Sequence, residues 1–194
     1  TAVALGMVFG ALGSDTGGSV RNPASSCGIV GLKPTYGLVS RAGAFPLSFS
    51  LDHVGPLTRT VEDNAILLQA IAGHDPADPT SVRRNVADLR AGIGRDIKGL
   101  RIGVIEHFFR EDAEAEAEQV AAFELALTTL GDLGANLQPV QLPPLKAWND
   151  CGRTLLQAEA YAIHEKDIKE RPQDYAPITL GKILPGAFIA AHDY

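Results

Sequence analysis

Cysteine, methionine and aromatic residues are scarce in this chain of 194 residues, which has two cysteines, one methionine and an aromatic fraction of 6%. Two cysteines in a chain this long exclude a disulfide framework. Cys27 and Cys151 also stand in no C-x-x-C pair or Cys/His cluster, which points to a reducing compartment. No apolar run approaches the roughly twenty residues that span a bilayer, because Gly, Ser and charged residues break each one, so no membrane partner is expected. No basic stretch precedes the apolar run at the N-terminus, so a signal peptide is not expected and the default location is cytoplasmic. Basic blocks are missing too: 17 Lys and Arg face 23 Asp and Glu, a formal net charge of -6. Without a basic footprint to follow a phosphate backbone, nucleic acid is a poor first choice of ligand. His53, His74, His107, His164 and His192 lie scattered with no i, i+4 pair and no cysteine neighbours, so no metal site is expected.

The residues that are present describe a globular chain. A hydrophobic fraction of 45% with 21% charged residues supports a sizeable core in one domain or two small ones. The chain starts at Thr1, carries its one methionine at Met7 and stops at Tyr194 just after a helix-like run, so it reads as cut at its front and at its back. Residues 3–12 predict the end of a helix followed by a short buried strand from Met7 to Leu12, and then a Gly-rich turn. The Gly- and Pro-rich stretch from Val20 to Pro56 predicts strands and loops without a long helix. Thr60 as N-cap, with Asp63 three residues on and Val61, Ala65, Leu68 and Ala72 at helical spacing, predicts a helix closed by Gly73. A polar connection follows, with residues 82–99 read as a linker between 1–81 and 100–194.

In the second part, Arg101 to Glu106 reads as a buried strand. The acidic run Glu111 to Glu118 is placed at the start of a helix, where the macrodipole favours it, with Val120, Phe123, Leu127 and Leu130 on one face and Gly131 and Gly134 as the stop. Asn136 to Leu142 alternates as a second strand, so strand, helix and strand imply a right-handed parallel crossover and an α/β class. Leu145 to Lys169 and Ala176 to Ala191 read as further helices, separated at Arg171-Pro172. For Glu159, Tyr161 and His164 on the first of these, two readings stand, lining of a substrate pocket and, preferred, packing or exposure to water.

The segment with chemical content is Gly13 to Arg21, G-S-D-T-G-G-S-V-R. Adjacent glycines admit positive φ and turn successive N-H groups to one side, an anion nest. A serine at the end of such a nest has its hydroxyl beside donors able to stabilise the oxyanion formed when it attacks a carbonyl. Spacing alone leaves two other readings open, a plain turn and a phosphate loop, although no Gly-Lys-Ser/Thr follows as a Walker loop requires.

The longer run from Gly13 to Gly37, G-S-D-T-G-G-S-V-R-N-P-A-S-S-C-G-I-V-G-L-K-P-T-Y-G, resembles the core of the amidase signature family. The resemblance continues through S-L-D-H-V-G-P-L-T-R-T-V-E-D, Ser50 to Asp63, and A-G-H-D-P-A-D-P-T-S, ending at Ser81. Beyond that it persists only in pattern, in I-K-G-L-R-I-G-V and E-A-Y-A-I-H. It implies the family's α/β fold, a mixed sheet with helices on both faces, here incomplete, so that exposed sheet edges should favour association of the isolated chain. It implies an amide C-N hydrolase or amidotransferase using a Ser, cis-Ser, Lys triad with no metal or cofactor. Ser19 matches the nucleophile, the N-H groups of Thr16, Gly17, Gly18 and Ser19 match the oxyanion hole, and Ser14, Asp15, Arg21 and Asp52 match polar positions that support the loop by hydrogen bonds.

In the family the cis-Ser precedes the nucleophile by about two dozen residues and the Lys lies farther upstream; neither position occurs in this chain, so alone it is expected to be nearly inactive. Arg21 is read as bracing Asp15 or Asp52, Lys33 as a charge capping carbonyls, and Cys27 as a small buried residue. The partners implied are a small-molecule amide and either a second copy of the chain, as a homodimer, or an amidotransferase partner subunit. Three functions stay open: a general amidase, the glutaminase subunit of a tRNA-dependent amidotransferase, and a truncated non-catalytic fragment.

Overall fold

The structure is a computed structural model that describes residues 1–113 and 115–194. The chain divides into two compact units, Thr1–Ile93 with Thr154–Tyr194, and Gly94–Arg153.

The first unit is built on a three-stranded antiparallel sheet. Strand β1 (Gly10–Asp15) and strand β2 (Val30–Gly31) flank strand β3 (His53–Thr58), with Gly10 opposite Thr58, Asp15 opposite His53, and Gly31 opposite Leu57. The centre of this sheet is tight. A Cβ on Gly55 would stand 2.1 Å from the Leu32 carbonyl oxygen, so only glycine lets the chain after β2 cross β3 there. Helix α1 (Arg21–Cys27) is a single short helix within the Gly- and Pro-rich stretch, and Val20 and Ala24 are buried at its start and middle. Helix α2 (Val61–Ile71) begins as its sequence predicts: Thr60 Oγ1 accepts the Asp63 N-H at 3.0 Å, and Glu62 and Asp63 lie in the first turn. Removing this cap in Thr60→Ala is expected to lower unfolding free energy by about 1 kcal/mol, measured by urea denaturation; no change would show the bond to be replaced by water.

Helix α5 (Leu145–Glu170) supplies the first unit's other core. Ala160 and Ile168 are buried against Ile183, with Leu47, Tyr161, Tyr175 and Leu180 packed around them. Helix α6 (Pro177–Ile183) is shorter than the predicted Ala176–Ala191 run. Pro185 cannot donate into an α-helical ladder, and the chain continues as a 3-10 turn over Leu184–Phe188, whose Gly186 lies directly on α5.

The second unit pairs strand β4 (Arg101–Val104) with strand β5 (Asn136–Pro139) in parallel, Arg101 opposite Asn136. Between them run helix α3 (His107–Arg110) and helix α4 (Ala117–Asp132), so the parallel crossover read from the sequence is present. Two details differ. His107–Arg110 forms a separate short helix ahead of the acidic run, and α4 starts after Glu116, so that Glu118 is the one acidic residue in its first turn; Glu114 lies outside the described residues. Gly131 sits inside α4, and the stop comes at Gly134, whose φ of 88° breaks the helical path.

The strand predicted over Met7–Leu12 is displaced to Gly10–Asp15, and it is not buried: Met7, Phe9 and Leu12 are exposed. Hydrogen bonding to β3 sets its limits, not apolar content, and β1 is an edge of the sheet. No helix among the described residues is long and apolar enough to cross a membrane.

Candidate active site

The glycine turn leaves β1 at Asp15 and enters α1 at Arg21, so Ser19 stands at the junction of strand and helix. Gly18 has a φ of 134°, a conformation that demands glycine, and a Cβ there would come 2.7 Å from the end of the Asn22 side chain and displace it. The turn closes on the Asn22 N-H, which donates to the Gly18 carbonyl at 2.7 Å.

Asp15 fixes the interior of this turn. Its side chain is fully buried, and Oδ2 accepts the backbone N-H groups of Val20 (3.2 Å) and Arg21 (3.3 Å) and Arg21 Nε (3.0 Å), while Oδ1 accepts Arg21 Nη2 (2.9 Å). Burial pushes the Asp15 carboxyl upward, but the Arg21 guanidinium and the two amides outweigh it and hold the pKa down to about 2. Asp52 fixes the other side: Thr16 Oγ1 donates to Oδ1 at 2.5 Å, and the N-H groups of Leu47 and Ser48 donate to Oδ2 at 2.8 and 2.9 Å. With Val20 and Arg21 engaged by Asp15, the N-H groups of Thr16, Gly17, Gly18 and Ser19 make no hydrogen bond to any described residue. Unpaired backbone donors beside an exposed hydroxyl are able to receive developing negative charge.

A cavity of about 260 Å³ opens on this turn. Ser14, Thr16 and Ser19 line it together with Asp52, His53 and Val54, and Phe45, Leu47 and Phe49 give part of its wall an apolar surface. Gly17 and Gly18 connect these residues without lining the cavity. Ser14 is exposed and its hydroxyl bonds to no described residue, whereas Asp15, Arg21 and Asp52 each make side-chain hydrogen bonds at the turn.

Three further residues outside the 13–21 turn border or brace this site. Arg41 borders the cavity yet is fully engaged: it donates to the Phe49 carbonyl (2.8 Å), Tyr36 Oη (2.9 Å) and Thr80 Oγ1 (2.8 Å), and it stands 3.8 Å from Asp78. It pins the 36–52 segment to the 75–81 loop. His53 Nδ1 lies 2.6 Å from the Leu51 carbonyl, which only accepts, so Nδ1 carries the proton and Nε2 faces Lys33 Nζ at 3.2 Å. Burial lowers the His53 pKa, the hydrogen bond to the Leu51 carbonyl works against that, and the Lys33 charge lowers it further. Lys33 also donates to the Pro34 carbonyl, the capping role read from its position. Glu159 is the third, and its contacts are with the 48–50 turn. Cys27 is half-buried, not buried as expected, because the short α1 ends there and Gly28 turns the chain away. Among the described residues no group of three His, Cys, Asp or Glu side chains is placed to hold a metal ion.

Comparison with known proteins gives a consistent set of relatives. The sequence profile of the Amidase family matches residues 1–183. The chain is 54% identical over 142 residues to a glutamyl-tRNA(Gln) amidotransferase subunit of Gloeobacter violaceus, a match covering 73% of this chain and 29% of that protein. It is 42% identical over 193 residues to an amidase of Pseudomonas putida, covering 99% of this chain and 41% of the relative. A solved structure from a vestigial protein complex that bears on the evolutionary origins of an s-triazine catabolic enzyme superposes with a TM-score of 0.89 at 36% identity, covering 100% of this chain and 41% of that one. The chain thus spans less than half the length of each of these proteins.

Proposed function

The chain belongs to the amidase family, and from that premise we propose that it contributes the nucleophile and oxyanion site of an enzyme that hydrolyses the C-N bond of a small carboxamide through an acyl-enzyme. The observation that carries this reading is the exposed Ser19 hydroxyl at the edge of a cavity, beside four backbone N-H groups with no internal acceptor.

In this mechanism Ser19 Oγ attacks the amide carbonyl carbon, its proton passing through the cis-Ser to the neutral Lys that the family carries upstream of the nucleophile. The carbonyl oxygen becomes an oxyanion held by the N-H groups of the 16–19 turn. The proton goes on to the nitrogen, the C-N bond breaks, and ammonia or an amine leaves with the acyl group on Ser19. Water then attacks the ester and releases the acid. Asp15 with Arg21, and Asp52 with Thr16, keep the turn in the conformation that aims its amides. The chemistry of this reading involves no metal or cofactor. Its setting is the cytoplasm, and its partner is a small-molecule amide.

One observation favours a second reading: the 54% identity to an amidotransferase subunit. On that reading glutamine is the amide and its ammonia passes to an acceptor held by a partner subunit. Ammonia release from glutamine that rises only when a partner subunit is added would select it, whereas the apolar wall of Phe45, Leu47 and Phe49 suits the general amidase.

A serine-directed fluorophosphonate tests the shared chemistry. A full chain that includes the upstream Lys and cis-Ser is expected to be labelled at Ser19, and the 194-residue chain about 10²-fold or more slowly, since the base is supplied from upstream. Labelling at another serine, or equal rates for the two chains, would defeat the assignment.

A further inference from the structure

Glu159 lies on α5, 109 residues beyond Ser50 in sequence, and its carboxylate is almost fully buried. No Lys or Arg among the described residues pairs with it. Four neutral donors surround it instead: Ser48 Oγ in a short hydrogen bond, the Ser50 N-H at 3.0 Å, Ser50 Oγ at 2.6 Å and Tyr194 Oη at 2.9 Å. A buried anion held only by hydroxyls and an amide is costly unless each donor stays in place, so the turn that supplies three of the four donors is fixed to the helix. That turn is the one whose Leu47 and Ser48 N-H groups hold Asp52, and Asp52 in turn holds Thr16 Oγ1, three residues before Ser19. Ser48 is a member of both sets, since its hydroxyl reaches Glu159 and its N-H reaches Asp52.

We propose that Glu159 is a positioning residue for the reaction at Ser19: through Ser48 and Ser50 it sets the 47–52 turn, and through Asp52 and Thr16 it sets the direction of the amides that receive the oxyanion. This inference rests on the reading of Ser19 given above. It has a specific signature. A group that aims the oxyanion donors alters turnover at each intact site, whereas a group that only contributes stability alters the number of intact sites.

The test uses the full chain with its upstream Lys and cis-Ser, with fluorophosphonate titration counting reactive serines so that kcat is expressed per titrated site. Glu159→Ala is expected to lower kcat per site by about 10- to 100-fold, the loss that follows from a displacement on the order of 1 Å at a reacting centre. Affinity for a boronic acid inhibitor, whose tetrahedral adduct takes up the same amides, should fall by a similar factor. Glu159→Gln, which keeps the shape and one acceptor oxygen, is expected to fold and to restore part of the loss. If Glu159→Ala does not fold, Glu159→Gln and Thr16→Val serve instead, singly and together, and the loss in the double variant should be smaller than the product of the two single losses because both act on one chain of contacts. Unchanged kcat per site with a smaller titratable fraction, a change in KM alone, or fully multiplicative losses would overturn the proposal. Ser19→Ala separates the two levels: activity that survives it overturns the reading of the site, while activity lost with Ser19 but insensitive to Glu159 overturns this inference alone.

Discussion

Ser19→Ala, in a chain extended upstream to include the Lys and cis-Ser that the proposed mechanism requires, is expected to reduce amide hydrolysis by about 10⁴-fold or more while leaving the melting temperature unchanged. The size of the loss follows from removing the atom that forms the acyl bond; what remains is the modest catalysis that oxyanion donors give to attack by water. The unchanged melting temperature follows from the surroundings of the side chain. Ser19 is exposed, and its hydroxyl bonds to no described residue, so its removal leaves no buried group unpaired. Residual activity within tenfold of the parent would mean that another hydroxyl attacks. Ser14, on the same cavity, would then be the first to examine.

Asp15→Asn should produce the largest stability change in the first unit, a loss of roughly 3 kcal/mol at pH 7, with Ser19 reactivity falling alongside it. The carboxylate is fully buried and accepts from three donors at Oδ2 and one at Oδ1. An amide in its place turns an NH2 group toward at least one of those donors and leaves Arg21 without a counter-charge. The pH dependence has a defined sign. The Asp15 pKa is about 2 in the folded protein against an ordinary 3.8, so its contribution is complete above about pH 4 and disappears as pH falls toward 2. A separation of this size corresponds to about 2 kcal/mol. Urea denaturation of parent and variant at pH 7 and near pH 2 should therefore show the gap narrowing in acid; a gap of constant size would show that Asp15 acts by shape and not by charge.

The parts of the fold and site that were legible in the sequence are those where neighbours in sequence are neighbours in space. The Thr60 cap and Asp63 lie three residues apart, and Asp15, Gly18 and Arg21 belong to one turn, so residue types alone carry their geometry. The parallel pairing of β4 with β5 was legible from the order strand, helix, strand. Residues whose role is set by distant partners gave no such signal. Glu159 on a helix looks like any surface glutamate until the 48–50 turn arrives 109 to 111 positions away in sequence, and Arg41 shows its purpose only once Thr80 and Asp78 are beside it. The strand read at Met7–Leu12 failed for a related reason: apolar content signals burial, but the pairing with β3 selected the more polar Gly10–Asp15. Pro185 is a local signal of the other kind, since its missing N-H ends α6 ahead of the 3-10 turn.

Phe45, Pro46 and Leu47 have a cavity on each side, the one at Ser19 and another of about 450 Å³ bordered by His164, Tyr175 and Ile183. The Pro46 carbonyl accepts from His164 Nε2 at 2.8 Å, and Leu47 packs against the α5 core. This three-residue strip is therefore a party wall: trimming it to admit a bulkier amide would also slacken the room behind. Adaptation toward new substrates is easier at Ala42 and Ala44, on the rim, where a larger or smaller side chain alters only one chamber.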